Sequence, residues 1–540
     1  MGLCVFAMGA FAVGRAQPAG LRAAEPMWRG ADALGVAAIV CIVALASPPA
    51  AADSIVRPRN YVVREAALTD LRRAEPAAPD LRPYTAAAVT ARMPKARPAR
   101  VQVQRMVTLE ALGEFVSGTH KGRLAEWAAR QTRNPVAIVI EGGRASLPEL
   151  SRLLDKSQLS EAAPGVYLLR LPLLIQPGAT LVIDKRVREL RLSQEHGAFL
   201  VNDGQLFVMD SRITGWRERD DAPATFRRGD EFRPFLVSWG GAELYIVNSV
   251  VASLGYSASK GYGVSVSQYS PGRQAHLRRP SPVAWVLNSE FVDNWFGFYC
   301  FEADGLVVIG NRYRDNIVYG VDPHDRSNKL IIADNDISGT RKKHGLIISR
   351  EVNDSWIFRN RIHGNALSGI VIDRNSVHNT LLHNTVYGNG SDGITVYESS
   401  DNLLWGNSTI GNGKHGIRVR NSVRVGLYEN SSLANQLSGI YGHVKDLSGT
   451  DRDVRLDPFE PNVSMVVVGG KLSHNRAGPV SIDRPLSLEL FDVELLAPTG
   501  DDGIRLRGVL GDHQETVLDL LMRKKVPVMV EPALATKQES

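Results

Sequence analysis

Short apolar runs separated by Gly, Asn and Asp fill the middle of this chain. Gly165-Val-Tyr-Leu-Leu-Arg170, Ala179-Thr-Leu-Val-Ile183, Gly197-Ala-Phe-Leu-Val201 and Leu206-Phe-Val-Met209 are too short for buried helices and are bounded by turn residues, so they predict strands. A repeat then emerges. Asn stands at 288, 311, 335, 360, 384, 407 and 430, and Gly at 297, 320, 345, 369, 393, 416 and 439. Most of these glycines open a strand: Gly345-Leu-Ile-Ile, Gly369-Ile-Val-Ile, Gly393-Ile-Thr-Val and Gly416-Ile-Arg-Val. A period of 23 to 25 residues with short strands and no helical stretch predicts a parallel β-helix. Leucine-rich repeats share the period, but their Leu-x-x-Leu-x-Leu frame is missing. The Asn column reads as structural, since stacked amides at turns satisfy one another and the backbone.

The flanks differ. Residues 53–100 are rich in Ala, Pro and Arg without a stable period and read as a linker or loosely packed lead-in. Residues 101–160 read as an N-terminal α/β cap, because a solenoid needs its open end covered. Thr108–Ala129 has helical spacing broken near Gly118, Val136–Glu141 reads as a strand, and Ser146-Leu-Pro-Glu149 begins a capped helix running through Leu154. The β-helix is expected over 161–510, clearest at 285–445, with a C-terminal cap or tail over 511–540. Residues 212–232 are highly charged and read as an inserted loop beside a binding face. An insertion such as Asp446–Pro461 breaks the period within 441–481.

Composition changes this picture little. The 540 residues are 44% hydrophobic and 22% charged, enough to bury a long core, and the formal charge of +6 suits a polyanionic partner without requiring one. The amino end adds a location. Leu34–Ala46 is an apolar run too short to span a bilayer comfortably, followed by Ser47-Pro-Pro-Ala-Ala-Ala52, which predicts an export signal over 1–52, with Met27 a possible true start. An uncleaved anchor is the alternative. Of Cys4, Cys41 and Cys300 only Cys300 outlasts cleavage, so no intramolecular disulfide is expected.

One stretch departs from the repeat. Tyr319-Gly-Val-Asp-Pro-His-Asp325 places a phenol, an imidazole and two carboxylates where other units carry simple apolar strands. Strand side chains alternate between faces. Counted from the repeat Gly, positions +1 and +3 point inward. Position +4 then points outward and presents Phe301, His324, Ser349, Asp373, Tyr397 and Arg420, while +2 presents Tyr299, Asp322, Ile347, Val371, Thr395 and Arg418. At +5 follow Glu302, Asp325, Arg350, Arg374 and Glu398. Coils stack about 4.8 Å apart, which puts Arg350 one coil from His324 and Arg374 two. The strip forms a groove for an extended acidic polymer. Pro323 lacks an N–H, so the ladder is expected to break there and expose His324.

Such a set suits proton abstraction α to a carboxylate. His324 between carboxylates is a candidate base, and Arg350 a candidate to neutralise the substrate carboxylate and its enediolate. Reprotonation on the other face gives epimerisation; loss of the 4-O substituent gives a lyase. A hydrolase would use two carboxylates, such as Asp322 and Asp325, but leaves His324 and Arg350 without a role. A non-catalytic polysaccharide-binding scaffold is a third reading.

Tyr319-Gly-Val-Asp-Pro-His-Asp325 resembles the Tyr-Gly-x-Asp-Pro-His-(Asp/Glu) signature of mannuronan C5-epimerases. With the export signal, cap and Asn/Gly repeats, residues 100–535 resemble the periplasmic epimerases of bacterial alginate biosynthesis. The resemblance implies a right-handed parallel β-helix that converts mannuronate to guluronate within polymannuronate. It implies that His324 takes the C5 proton, Arg350 neutralises the carboxylate, and Asp322 and Asp325 hold His324 or shape the site. Tyr319 matches the second acid/base of the secreted relatives, whereas in the periplasmic type water is the favoured donor. Tyr299, Arg374, Tyr397, Arg418 and Arg420 are expected to bind the polymer. No metal or organic cofactor is expected; the Gly-Gly-x-Gly-x-Asp calcium repeats of the secreted relatives do not occur here. The implied partners are the alginate chain and a periplasmic synthesis and export complex, with neither nucleic acid nor a membrane span after cleavage.

Overall fold

The computed structural model describes residues 60–533, apart from 68–70, 72, 96, 117–122, 132–133, 259, 269–278, 451–452, 454, 456–457 and 498–502. The export-signal reading lies outside the described residues. Three long sheets, here A, B and C, run the length of a solenoid, and strands are parallel between successive coils. Each coil contributes one strand to each sheet. In one coil these are Trp356–Phe358 in sheet A, Arg361–His363 in sheet C and Ile370–Asp373 in sheet B.

The inward residues form one continuous core. Val321, Leu346, Ile348, Ile370, Ile372, Ile394, Val396, Ile417 and Val419, the +1 and +3 positions of the Gly frame, all belong to it. Each such side chain contributes on the order of 1.5–3 kcal/mol on burial. The turns are held by amide ladders. Asn311, Asn335, Asn360, Asn384, Asn407 and Asn430 stack, each Nδ2 donating to the next Oδ1 at 2.9 or 3.0 Å. Asn288 is not in this ladder, contrary to the sequence reading. It adopts φ 49°, and Ser289 takes the rung, its N–H donating to Asn311 Oδ1 at 2.9 Å. A second ladder, at the turn after sheet C, runs through Asn365, Asn389, Asn412, Asn435 and Asn475.

Residues 60–98 are not a loosely packed lead-in. They run along the outside of sheet A, from its C-terminal end to its N-terminal end. Tyr61–Glu65 pairs antiparallel with Val528–Pro532, which itself pairs with Ser487–Phe491. Leu71 is buried with Phe358, Leu382, Trp405 and Tyr428. Val89 is buried with Phe207, Tyr245 and Trp285, and Tyr84 meets Trp285 edge-on at 4.9 Å. Pro98 then bridges to Arg144. The anchors are irregularly spaced because a strap crossing strands has no period of its own, which is why composition made it look like a linker.

The cap follows. Arg100–Arg105 pairs antiparallel with Val136–Glu141 and covers the first edge of sheet B. Leu147–Leu153 is the capped helix; Ser146 donates its N–H and its hydroxyl to Glu149, each at 2.8 Å. The charged segment 212–232 is only partly an insertion. Arg212–Arg217 is a strand of sheet C between Glu189–Ser193 and Val250–Ala252, and the chain leaves the coil after it. The excursion is tied down by fully buried Arg233, which pairs with Asp293 at 2.8 Å and donates to Ala224 O at 2.8 Å. At the far end, short helices over 509–524 precede the final strand. No helix among the described residues is long and apolar enough to cross a membrane.

Candidate active site

Sheet B carries the Gly-initiated strands, and its outer face follows the alternation predicted from sequence. The paired column runs Phe301, His324, Ser349, Asp373, Tyr397, Arg420, His443. Beside it Tyr299 pairs with Asp322, and Ile347, Val371, Thr395, Arg418 and Tyr441 continue in register. After each strand the chain turns through the left-handed region: Glu302, Asp325, Arg350, Arg374 and Glu398 all have φ between 41° and 66°. In two coils this turn sets the +5 side chain against the +4 residue of its own coil: Asp325 against His324, and Arg374 against Asp373 at 3.6 Å.

Around His324 the consequence is direct. Asp325 Oδ2 holds His324 Nδ1 in a short contact. The other carboxylate oxygen of Asp325 faces Arg350 Nη1 at 3.8 Å, across one coil. Burial alone would raise the Asp325 carboxyl, but the His324 hydrogen bond and the charges of His324, Arg350 and Arg326 outweigh it and hold the group below its ordinary value. With Nδ1 engaged by a carboxylate, Nε2 is the ring nitrogen left for chemistry. Pro323 acts as expected: toward the next coil, strand pairing is kept at Val321 and His324 and missing between them.

Asp322 is buried behind this pair, and burial is the main cause that pushes its carboxyl up to about 7; Asp325 adds to the rise, while His324 and Lys343 oppose it. Among the described residues its Oδ1 has no hydrogen-bond partner. Tyr319 opens the same strand. Its ring lies on Phe296 at 5.1 Å and parallel to His344 at 6.1 Å, and its oxygen accepts from Lys343 Nζ at 3.2 Å. Burial, with Asp322 and Asp373, pushes the phenol up, so it is protonated at neutral pH. Tyr299 is buried 6.3 Å from the His324 ring, within an aromatic cluster that includes Trp295 and Phe296.

The predicted polymer contacts separate. Arg350 and Arg374 keep 38% and 36% of their side chains exposed next to His324 and Asp373. Arg418 and Arg420 lie farther along the strip, His324 and Arg420 being four coil steps or about 19 Å apart. They are engaged within the protein: Arg418 with His443 at 3.1 Å and Asp392 at 3.5 Å, and Arg420 with Glu398 at 2.7 Å and over the Tyr397 ring at 3.8 Å. Two cations escaped the strand-based reading because both lie on turns. Lys343 reaches Tyr319, and Lys260 lies 3.3 Å above the Phe301 ring centre. The run Arg341-Lys-Lys-His344 ahead of a repeat glycine was the available signal for the first. Among the described residues no three His, Cys, Asp or Glu side chains are grouped to hold a metal ion.

Fold and strip together define a parallel β-helix with a charged, titratable outer strip on one sheet. A family model described as "right handed beta helix region" matches residues 326–449, and one described as "periplasmic copper-binding protein (NosD)" matches 247–385. A mannuronan C5-epimerase of Pseudomonas aeruginosa is 57% identical over 473 residues, covering 88% of this chain and 87% of that protein. Mannuronan C5-epimerase AlgG of Azotobacter vinelandii is 52% identical, covering 94% and 96%. The crystal structure of the periplasmic alginate epimerase AlgG superposes with a TM-score of 0.77 at 51% identity, over 78% of this chain and 99% of that one. The chain belongs to the mannuronan C5-epimerase family.

Proposed function

We propose that His324 is the base that removes the C5 proton of mannuronate within the polymer. Arg350 neutralises the C5 carboxylate as the enediolate forms, and Asp325 orients His324 through Nδ1. Asp322 is the buried acid that shapes the floor beneath them, and Arg374 and Tyr397 line the path of the chain. The reaction is the one the family carries out: mannuronate becomes guluronate within polymannuronate, in the periplasm, during alginate biosynthesis. A proton leaves C5, and a proton returned to the opposite face inverts the carbon. These transfers need no organic cofactor.

The observation that carries the residue roles is the chain of contacts from His324 through Asp325 to Arg350 on the outer strip of sheet B. It supplies a base with a fixed tautomer and, one coil away, a guanidinium for the carboxylate whose α-proton is lost. Proton NMR of polymannuronate incubated with the protein in deuterium oxide tests it. Guluronate deuterated at C5, without chain shortening, is expected. Unsaturated ends would mean β-elimination instead, and a bound but unchanged polymer would mean a scaffold. We further infer that the chain works inside a periplasmic synthesis and export assembly, because the polymer has to cross this compartment on its way out. Cross-linking of tagged protein in alginate-producing cells checks this; a protein recovered without any export component would refute it.

A further inference from the structure

The outer face of sheet B is open over only part of its length. Toward its N-terminal end a second layer of side chains covers it. Val201 pairs with Val237, Val237 with Ser265 and Ser265 with Tyr299, and all four are buried although alternation turns them outward. The cover is aromatic. Phe115, from the cap, lies 5.0 Å from the Phe235 ring and 5.9 Å from that of Trp239, and Phe199 stacks on Phe235 at 4.6 Å. Trp239 is tied to the cap as well, its Nε1 donating to Ala111 O at 2.9 Å. Nearer the site, Tyr262 packs on Phe296 and Tyr299 at 4.7 and 5.0 Å.

The cover stops at the His324 coil. In the column that holds His324, Ser267 is fully buried, whereas Phe301 and His324 are only half-buried. Among the residues that precede the repeat glycines, Phe296 is buried and Tyr319, one coil on, is half-buried. Past His324 the column stays partly open at Asp373, Tyr397 and Arg420, and it runs on to His443, five coil steps or about 24 Å away. At the boundary itself stands Lys260, on the loop before Gly263–Ser267. Its Nζ lies 3.3 Å above the Phe301 ring centre and 5.7 Å from that of Tyr299.

We infer that the polymer groove is closed at one end, that His324 works one sugar from that end, and that Lys260 binds the carboxylate of the single uronate beyond the reacting one. The inference rests on the epimerase reading above. A 1,4-linked uronate advances by roughly one coil spacing, so successive sugars fall on successive coils. In one direction from His324 they meet Arg350, Arg374 and then Tyr397. In the other direction the first coil offers Lys260, and the next offers only the buried aromatic block. The Phe301 ring holds the ammonium at this boundary, where it can pair with a carboxylate. A longer chain has to lift off the sheet there. The grip on the substrate is therefore one-sided, and a short chain binds best with its penultimate residue, counted from one particular end, on His324.

The test is where along a short chain the reaction happens. Mannuronate oligomers from trimer to hexamer are incubated with the full chain in deuterium oxide. The products are reduced with borohydride, so that the two chain ends differ in mass, and tandem mass spectrometry locates the deuterium at C5. Deuterium is expected in the penultimate residue from the same end at every length. From trimer to hexamer kcat/KM rises roughly 10-fold, as the open side of the strip fills. Lys260→Met raises KM roughly 5-fold with kcat within about twofold, because only binding is lost, and it spreads deuterium onto the end residue itself. Lys260→Arg restores both. Deuterium spread evenly along the hexamer, deuterium centred with equal numbers of sugars on either side, or an unchanged KM and position in Lys260→Met would each overturn the assignment. A hexamer left unlabelled while polymannuronate reacts would overturn it too, because the strip holds about that many sugars. If polymannuronate itself yields no deuterated guluronate, the epimerase reading falls; deuterated polymer with evenly labelled oligomers sinks the closed groove alone.

Discussion

The proposed base, His324, is held by a turn rather than by its strand. The left-handed φ of 41° at Asp325 swings that carboxylate back against Nδ1, and the same turn one coil later brings Arg350 within 3.8 Å. His324→Ala is therefore expected to lower turnover by roughly 10²-fold or more, read as guluronate formation by NMR. Asp325→Asn should also lower turnover, since the amide no longer offers Nδ1 a carboxylate; full activity would remove its orienting role. Asp322 gives a stability prediction with the opposite sign to an ordinary ion-paired carboxylate. Its folded carboxyl is raised from 3.8 to about 7. The folded chain thus holds a proton that the unfolded chain has released, and stability falls as pH rises from about 4 to about 7. Asp322→Asn should raise the thermal midpoint at pH 8 and leave it nearly unchanged at pH 4. Most of these residues were legible in Tyr319–Asp325 alone, because period-two alternation fixes which side chains share a face. Lys343 was not legible, because it lies on a turn, and alternation says nothing about turns.

At the scale of the element, the unit is a coil, and turn residues set its register as much as strands do. Gly320, Gly345, Gly369 and Gly393 show why glycine opens each sheet B strand: a Cβ there would come within 3.0 Å of the carbonyl of the next repeat glycine or of a side chain beneath it. The Asn ladder is as demanding. Asn384 donates to Asn407 Oδ1 at 2.9 Å and to Ile357 O at 2.8 Å, fully buried. Asn384→Ala should cost on the order of 1–3 kcal/mol in denaturant unfolding, because it strands buried partners. Asn288→Gly, off the ladder, exposed and compatible with the left-handed φ of 49°, should stay within about 0.5 kcal/mol. The pair distinguishes two residues that period counting had placed in one column. The frame slipped there because Ser289 does the work of an amide, and a serine does not announce itself in a count of asparagines. Thr340 hides from the second ladder in the same way, its N–H donating to Asn365 Oδ1 at 3.1 Å.

Across the whole molecule, the repeat was readable and the strap was not. A solenoid repeats its rule every coil, so seven glycines suffice to find it. Leu71, Tyr84 and Val89 each meet a different set of coils once, and no periodicity can expose a contact that never recurs. Leu71→Ala should cost about 2–5 kcal/mol by thermal or denaturant unfolding, as for other large-to-small changes in a packed core. A true linker residue would cost almost nothing.

The strap also sets an order of events. Tyr61–Glu65 is made early in synthesis, yet its pairing partner is Val528–Pro532, which is made nearly last. Local coils can stack as they emerge, but this contact spans almost the whole described chain, the kind of closure that is slow to form. The strap is therefore a seal fitted at the end of assembly. A chain stopped short of Val528 would present two open sheet edges at once, and would be recognisable by its tendency to pair with another copy.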